Sequence, residues 1–345
     1  MMSSLSPTFE KQMAKFLGEL PTRARSVLKR RYGIGEVSCM TLESIGKREG
    51  ITRERVRQIE NDAIRRLKKS PSFAEFAPQE SAIKGVLASV GGVVAEADFL
   101  SLPDFRQIKD KNMLILFCDL SGSIRRRKAD DRLHTRWHVS DAPVAGIEAA
   151  LSAFARSLRE HGVTLLADDA FVNFTTQLKK TGVIVPDKSP MLATYLGLSK
   201  EIEKNVWDEY GHVSSPFVRP RGMRDSALVA LTRAKEPLHF REIAKRIGEF
   251  SNKSVHVQTV HNELIKDTRF VLVGRGLYAL KEWGYEPGFV KDVLVQMLSD
   301  HAMTREEILD EVMRRRQVKA STIFINLQNK KLFKTLDNGT YTIVS

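Results

Sequence analysis

The stretch TLESIGKREGITRERVRQIENDAIRRLKK, residues 41–69, has the pattern of two helices joined by a tight turn. Ile45 and the small residue Gly46 fit a short first helix, which Gly50 ends. Thr52 stands where a residue caps the start of a second helix. The apolar residues of that second helix recur at helical spacing: Val56, Ile59, Ala63 and Leu67. The pattern predicts a helix-turn-helix.

The first two turns of the second helix are crowded with long polar side chains, in the sequence RERVRQIE (residues 53–60). The most common reason for such a run is a solvated helix face with ion pairs between neighbouring turns. The alternative is a recognition helix, whose N-terminal side chains reach base edges in the DNA major groove. Upstream, residues 8–32 predict one or two further helices that end near Gly33.

Composition favours a polyanionic partner, most often nucleic acid or an acidic membrane surface. The 345-residue chain has room for about two to four domains, and its net charge of +13 indicates a polyanionic partner. Residues 1–70 hold 16 Lys and Arg against 8 Asp and Glu, so they carry +8 of that excess. The only cysteines, Cys39 and Cys118, exclude a disulfide scaffold and a cysteine-rich zinc site. We expect a cytoplasmic protein without a membrane partner, because the chain contains no run of about 18 apolar residues and no secretory signal.

The segment SVLKRRYGIG (residues 26–35), together with residues 41–69, resembles the fourth conserved region of bacterial sigma-70-type factors. The resemblance covers roughly residues 21–69 and implies a module that reads a promoter −35 element and docks on the RNA polymerase flap. It implies base contacts by three residues: Arg53, Glu54 and Gln58. It implies phosphate or groove-lining contacts by four more: Thr52, Arg55, Arg57 and Arg31.

The chemistry of these side chains agrees with the resemblance. Arginine forks onto guanine, glutamate accepts from the cytosine amino group, and glutamine pairs with adenine. Lys68 and Lys69 add sequence-neutral attraction to phosphates. In sigma factors this region follows a segment that recognises and melts the −10 element. We find no counterpart of that segment here, so we do not expect a complete sigma factor.

The C-terminal part contains an internal repeat with a period of 63 residues. Five matching pairs share this spacing: Thr259/Thr322, Leu264/Leu327, Phe270/Phe333, Gly276/Gly339 and Tyr278/Tyr341. Each copy predicts three helices followed by a hairpin, which turns at Gly276 in the first copy and at Asn338-Gly339 in the second. Three helices and a hairpin make a winged helix.

The first copy, from EPLHFREIAKRI to KEWGY (residues 236–285), resembles the HARE-HTH family of winged helices. Those modules occur in the delta subunit of bacterial RNA polymerase, in chromatin factors and beside some restriction nucleases. Secondary contacts to DNA or to a partner are predicted on the third helix and the wing: His256, Gln258, Thr259, His261, Asn262 and Arg275. The alternative is a protein-docking module, in which His261 and His239 are packed or capping residues.

Residues 81–220 predict two further, degenerate winged helices. Their basic segment SIRRRKADDR (residues 123–132) fits either a phosphate contact or a solvated loop. We therefore predict a mainly α fold, with a helix-turn-helix followed by an array of winged-helix units with small β-hairpin wings. The predicted domains are 1–75, 80–141, 142–216, 222–285 and 286–345.

No catalytic constellation stands out, since the sequence has no phosphate-binding glycine loop, HExxH motif, nucleophile elbow or paired-carboxylate nuclease core. We predict no enzyme activity, metal, cofactor or small-molecule substrate. The sequence favours a transcription factor that reads a −35-like element in double-stranded DNA through the helix starting at Thr52 and associates with RNA polymerase core. Two alternatives stay open: a DNA-binding specificity component of a restriction or repair system, and a winged-helix adaptor that makes mainly protein contacts.

Overall fold

The computed structural model describes residues 7–36, 38–185, 189–285, 290–315, 320–336 and 339–344. The chain divides into two compact units, Met1–Val213 and Ser214–Ser345. The fold is mainly α-helical with small antiparallel sheets, as predicted. Of the predicted hairpin turn at Asn338-Gly339, Asn338 lies outside the described residues. Among the helices described, none has both the length and the apolar character needed to cross a membrane.

The first unit opens with an N-terminal module of four helices (residues 7–69). They are α1 (Pro7–Gly18), α2 (Thr22–Tyr32), α3 (Leu42–Glu49) and α4 (Arg53–Lys69). Gly33 ends α2 in the left-handed region with a φ of 75°, where glycine pays no Cβ penalty. The Thr41 side chain caps α3 by accepting a hydrogen bond from the Ser44 amide at 3.1 Å. Residues 8–32 thus form two helices, and α3 and α4 form the predicted helix-turn-helix.

Two winged helices complete the first unit. The first winged helix (residues 77–139) comprises α5 (Ala77–Ser89), β1 (Val93–Ala95), α6 (Glu96–Ser101), α7 (Lys111–Leu120), β2 (Ile124–Arg127) and β3 (Arg136–Val139). The second winged helix (residues 144–212) comprises α8 (Val144–His161), β4 (Leu165–Leu166), α9 (Ala167–Lys180), α10 (Ser189–Leu196), β5 (Ile202–Lys204) and β6 (Glu209–His212). Their sheets have the same antiparallel order, β1-β3-β2 and β4-β6-β5.

The second unit contains the two repeated winged helices. The third winged helix (residues 223–280) comprises α11 (Met223–Ala234), β7 (Leu238–His239), α12 (Phe240–Ser251), α13 (Val257–Lys266), β8 (Phe270–Gly274) and β9 (Leu277–Leu280). The fourth winged helix (residues 290–343) comprises α14 (Val290–Asp300), α15 (Arg305–Arg315), α16 (Ala320–Leu327), β10 (Phe333–Thr335) and β11 (Tyr341–Ile343).

The 63-residue period is a structural repeat. Tyr278 pairs with Leu238 in the third winged helix, and Tyr341 forms a β-bridge with Met303 in the fourth. The matched leucines and phenylalanines are buried in both: Leu264, Leu327, Phe270 and Phe333. Gly276 and Gly339 both have positive φ angles, of 72° and 80°. Four of the five matched pairs therefore lie in the core or the hairpin, whereas Thr259 and Thr322 are exposed on the third helix of each copy.

The N-terminal module and the first winged helix share one hydrophobic core. At its centre the Phe117 ring of α7 lies 5.6 Å from the Phe9 ring of α1, centroid to centroid. Phe73 and Phe76, in the 3₁₀ helix that follows α4, lie 6.1 and 5.5 Å from Phe117. The helix-turn-helix therefore rests on the winged helix that follows it.

Candidate nucleic-acid interface

The turn between α3 and α4 sets how the second helix of the helix-turn-helix is presented. Gly50 ends α3 with a φ of 66°. The Ile51 amide donates to the Gly46 carbonyl at 3.0 Å, and the Thr52 hydroxyl accepts from the Arg55 amide at 3.2 Å. A Cβ on Gly46 would lie 2.7 Å from the Ile51 carbonyl oxygen. The turn can close this tightly only because position 46 lacks a side chain.

α4 lies on the module through one apolar stripe. Val56 packs with Val27 of α2 and Ile45 of α3 in a small core of its own. Ala63 and Leu67 are buried farther along the helix. The opposite face is exposed: Arg53, Glu54, Arg55, Arg57, Gln58, Asn61, Asp62, Arg65, Arg66, Lys68 and Lys69. The predicted contact residues on α4 thus share one solvent-facing surface.

The three predicted base-contacting residues differ in their partners. Arg53 has no hydrogen-bond or ion-pair partner among the described residues. Glu54 accepts two hydrogen bonds from Arg57, at 2.6 and 2.9 Å, and Gln58 accepts one from Arg55 at 3.0 Å. The Arg57 guanidinium holds the pKa of Glu54 below its usual value, while Glu54 raises the pKa of Arg57. The face is exposed and part of it is ion-paired, as expected of a solvated helix face, while Arg53 is left without a hydrogen-bond or ion-pair partner in the part of the chain that the structure describes.

Arg31 and its neighbours hold α2 against the helix-turn-helix. The Arg31 Nε atom lies 3.3 Å from a Glu60 carboxylate oxygen on α4, and Arg31 also donates to the Met40 carbonyl at 3.2 Å. Arg30 forms an ion pair with Glu49 of α3. Arg31 is half-buried and fixes the position of α4 from within the module.

The exposed face of α4 also includes residues that the sequence pattern did not single out. Asn61, Arg65 and Arg66 continue the face one and two turns beyond the predicted base-contacting residues. Arg65 lies 3.2 Å from Asp62. Helical spacing from Gln58 was the signal that could have identified them, because residues three or four apart are neighbours on a helix surface.

The third helix of the first winged helix is covered rather than exposed. Its buried residues face several directions: Leu114, Leu116, Phe117, Cys118 and Leu120. The Tyr32 hydroxyl donates to Asp119 at 3.0 Å, and the Asn112 amide donates to the Gly33 carbonyl at 3.0 Å. Burial, followed by the charge of Asp119, raises the pKa of Tyr32, so its phenol keeps the proton that it donates. α7 is a docking surface for the N-terminal module.

The predicted secondary contact residues of the third winged helix occupy two environments. Most are exposed: His256, Gln258, Thr259, Asn262 and Arg275. The Gln258 amide donates to Asn262 at 3.1 Å. His261 is half-buried and stacks on Phe240, with ring centroids 4.3 Å apart. His239 caps α12 by accepting from the Arg241 amide at 3.3 Å. His261 is thus a packed residue and His239 a capping residue.

Within the described ranges, no group of three or more His, Cys, Asp or Glu side chains is arranged to hold a metal ion. The candidate functional site is therefore the exposed polar face of α4.

The tight turn between α3 and α4, with α4 exposed on one face, places residues 7–69 among the helix-turn-helix proteins. Residues 16–69 match the model of the family described as Sigma-70, region 4. The segment is 45% identical over 58 residues to the RNA polymerase principal sigma factor HrdD of Streptomyces coelicolor and 43% identical over 58 residues to that of Streptomyces griseus. It is 42% identical over 59 residues to the RNA polymerase sigma factor SigA of Clostridium acetobutylicum.

These similarities are confined to the N-terminal module. The aligned segment covers 17% of this chain, 18% of the two HrdD proteins and 16% of SigA. The chain therefore spans less than a fifth of the length of the relatives that it matches. The similarity to sigma-70 region 4 is thus limited to residues 16–69.

Proposed function

We propose that this chain is a sequence-specific DNA-binding protein of the sigma-like type, which reads a promoter −35-like element in double-stranded DNA and associates with RNA polymerase. The observation that carries the proposal is the sigma-70 region 4 match over residues 16–69, on a module whose α4 face is exposed and polar. The proposed action is positional rather than catalytic, and it requires no cofactor.

In the proposed complex the N-terminal end of α4 lies in the major groove. Arg53 has no partner to release and forks onto a guanine. Glu54 and Gln58 exchange their partners Arg57 and Arg55 for base edges, and the two arginines turn to phosphates. Exposed ion pairs contribute little to stability, so these exchanges do not oppose binding strongly. Thr52, Arg31, Lys68 and Lys69 line the groove or attract the backbone.

The winged helices serve the same complex in this proposal. The third winged helix is of the HARE-HTH type and makes secondary contacts through the exposed face of α13 and through Arg275. The N-terminal module docks on the flap region of the RNA polymerase core, as the resemblance to sigma factors implies. The similar proteins are named as RNA polymerase sigma factors, which supports polymerase as the partner.

Arg53→Ala is expected to weaken binding to a −35-like duplex by about 1–3 kcal/mol and to relax the preference at one base pair. Lys68→Ala is the matched control, because a lost phosphate contact weakens all sequences alike. Titrations of both variants on −35-like and random duplexes at one salt concentration measure the difference. If Arg53→Ala lost the same binding free energy on both duplexes, the proposed base contact of Arg53 would be wrong.

The polymerase association is tested with the intact protein and purified RNA polymerase core, with and without a −35-like duplex. Stable binding to core is the expected result. Sequence-specific DNA binding without any binding to core would instead indicate an independent regulator or a component of a DNA-processing complex, and the polymerase part of the proposal would be wrong.

A further inference from the structure

In both repeated winged helices the first residue of the second helix contacts a ring on the third helix, but the chemistry of the contact differs. In the third, Phe240 is the first residue of α12 and stacks on His261 of α13. In the fourth, Arg305 is the first residue of α15, and its guanidinium carbon lies 3.8 Å from the ring centroid of Phe324 on α16. Phe324 is the repeat equivalent of His261. An aromatic pair in one copy is thus a cation–π pair in the other.

The surface beside this pair has also diverged between the copies. In the third winged helix it exposes apolar side chains, with Ile265 63% and Leu272 46% exposed. Their equivalents in the fourth are Gln328 and Thr335, which are polar and exposed. At these two positions the fourth winged helix is polar where the third is apolar.

The loop after the third helix has changed charge as well. Asp267 of the third winged helix pairs with Arg269 at 2.7 Å, and Arg269 reaches Asp225 at 3.3 Å, so its charges are internally neutralised. The repeat equivalent of Asp267 is Lys330. Lys330 and Lys334 are exposed, and neither has an ion-pair partner among the described residues. In this loop the fourth winged helix therefore presents exposed cations, whereas the charges of the third are neutralised by ion pairs.

These residues line one groove of about 520 Å³, between α16 and the hairpin. Its donors are Arg305, Gln328, Lys330, Lys334 and Thr335, and none of the described lining residues is acidic. Leu327 and Phe333 at its base are buried, and Arg305 covers the ring of Phe324. The half-buried Tyr341 is a further lining residue, and the groove offers positive charge and hydrogen-bond donors.

We propose that this groove binds the sugar-phosphate backbone of duplex DNA. Protein–DNA interfaces are polar and strongly positive, and the described lining of this groove has three basic residues, Arg305, Lys330 and Lys334, and no acidic one. Because no base-reading geometry is required, the contact is independent of sequence. It adds a second DNA contact to the proposed function and does not depend on base reading by α4.

The test is the salt dependence of DNA binding by the full chain carrying Lys330→Gln and Lys334→Gln. Each phosphate contact contributes a slope of about −0.9 to the plot of log affinity against log salt, so the double variant is expected to flatten that slope by about 1.8 on a random-sequence duplex. At low salt its affinity should fall on the order of tenfold. The preference for a −35-like sequence should not change.

Lys245→Gln with Lys281→Gln is the matched control, since it removes the same charge from two exposed positions, one in the third winged helix and one directly after it. This control should leave the slope within a few tenths of wild type, and thermal unfolding should be unchanged for both double variants. An unchanged slope for the Lys330 and Lys334 variant would overturn the inference, even with intact −35 preference. If the Lys330 and Lys334 variant lost binding to a polyglutamate peptide while its DNA binding stayed unchanged, the groove would bind an acidic protein instead. That result would overturn the inference as well.

Discussion

Phe117→Ala is expected to lower the free energy of unfolding by about 3–5 kcal/mol, the usual cost of truncating a fully buried phenylalanine. Phe117 is 0% exposed and contacts Phe9, Phe73 and Phe76 across the boundary between the N-terminal module and the first winged helix. Removal of the ring would therefore leave a cavity between the N-terminal module and the first winged helix. We expect the helix-turn-helix to lose stability together with the winged helix that carries the substitution.

Hydrogen exchange followed by mass spectrometry measures this coupling. Peptides from α1, α2 and α4 should exchange faster in Phe117→Ala than in wild type. Phe174→Ala is the matched control, since Phe174 is equally buried but lies in the core of the second winged helix, against Phe154. That control should leave the exchange of α2 and α4 nearly unchanged. If Phe117→Ala also left these helices unchanged, the shared core would not couple the two parts.

Gly46→Ala is expected to cost about 1–3 kcal/mol of stability and to weaken sequence-specific DNA binding. The added Cβ would lie 2.7 Å from the Ile51 carbonyl oxygen, which belongs to the backbone and cannot swing away. Overpacking a tight site of this kind forces a backbone shift. Because the shifted residues join α3 to α4, the shift should also change how α4 is presented to DNA.

Gly85→Ala provides the control for Gly46→Ala. Gly85 lies within α5 and a Cβ there would meet nothing within 4 Å, so alanine should raise stability by about 0.5–1 kcal/mol through its higher helix propensity. Chemical denaturation of both variants, with titration on a −35-like duplex, separates steric strain from propensity. A stabilising Gly46→Ala would contradict the close approach in the turn.

The local pattern of residues 41–69 was sufficient to predict the helix-turn-helix. Its decisive contacts join residues no more than five apart, such as the Thr52 cap on the Arg55 amide and the Ile51 hydrogen bond to Gly46. Contacts between residues so close in sequence can be predicted from residue type and spacing alone. The 63-residue repeat was readable for a similar reason, because the same core and turn positions recur along the chain.

The middle of the chain was harder to interpret. Its winged helices use strands of only two to four residues, such as β4 (Leu165–Leu166), which are too short for an alternating pattern to appear. Their partners are distant in sequence, as when Val93 pairs with His138. The sequence indicated the three helices and the basic wing, whereas the three-stranded sheets required the structure.

By itself, the sequence determined which segments form the helix-turn-helix and that the long polar side chains in the first turns of α4 lie on its outer face. Tertiary structure alone decided that Arg31 of α2 pairs with Glu60 of α4 and that α7 is covered by the N-terminal module. The apolar residues of α7 require burial but do not specify the surface that buries them. That surface includes contacts such as the one between Glu10 and Asp110, 100 residues apart. Local periodicity carries no information about packing over such a distance.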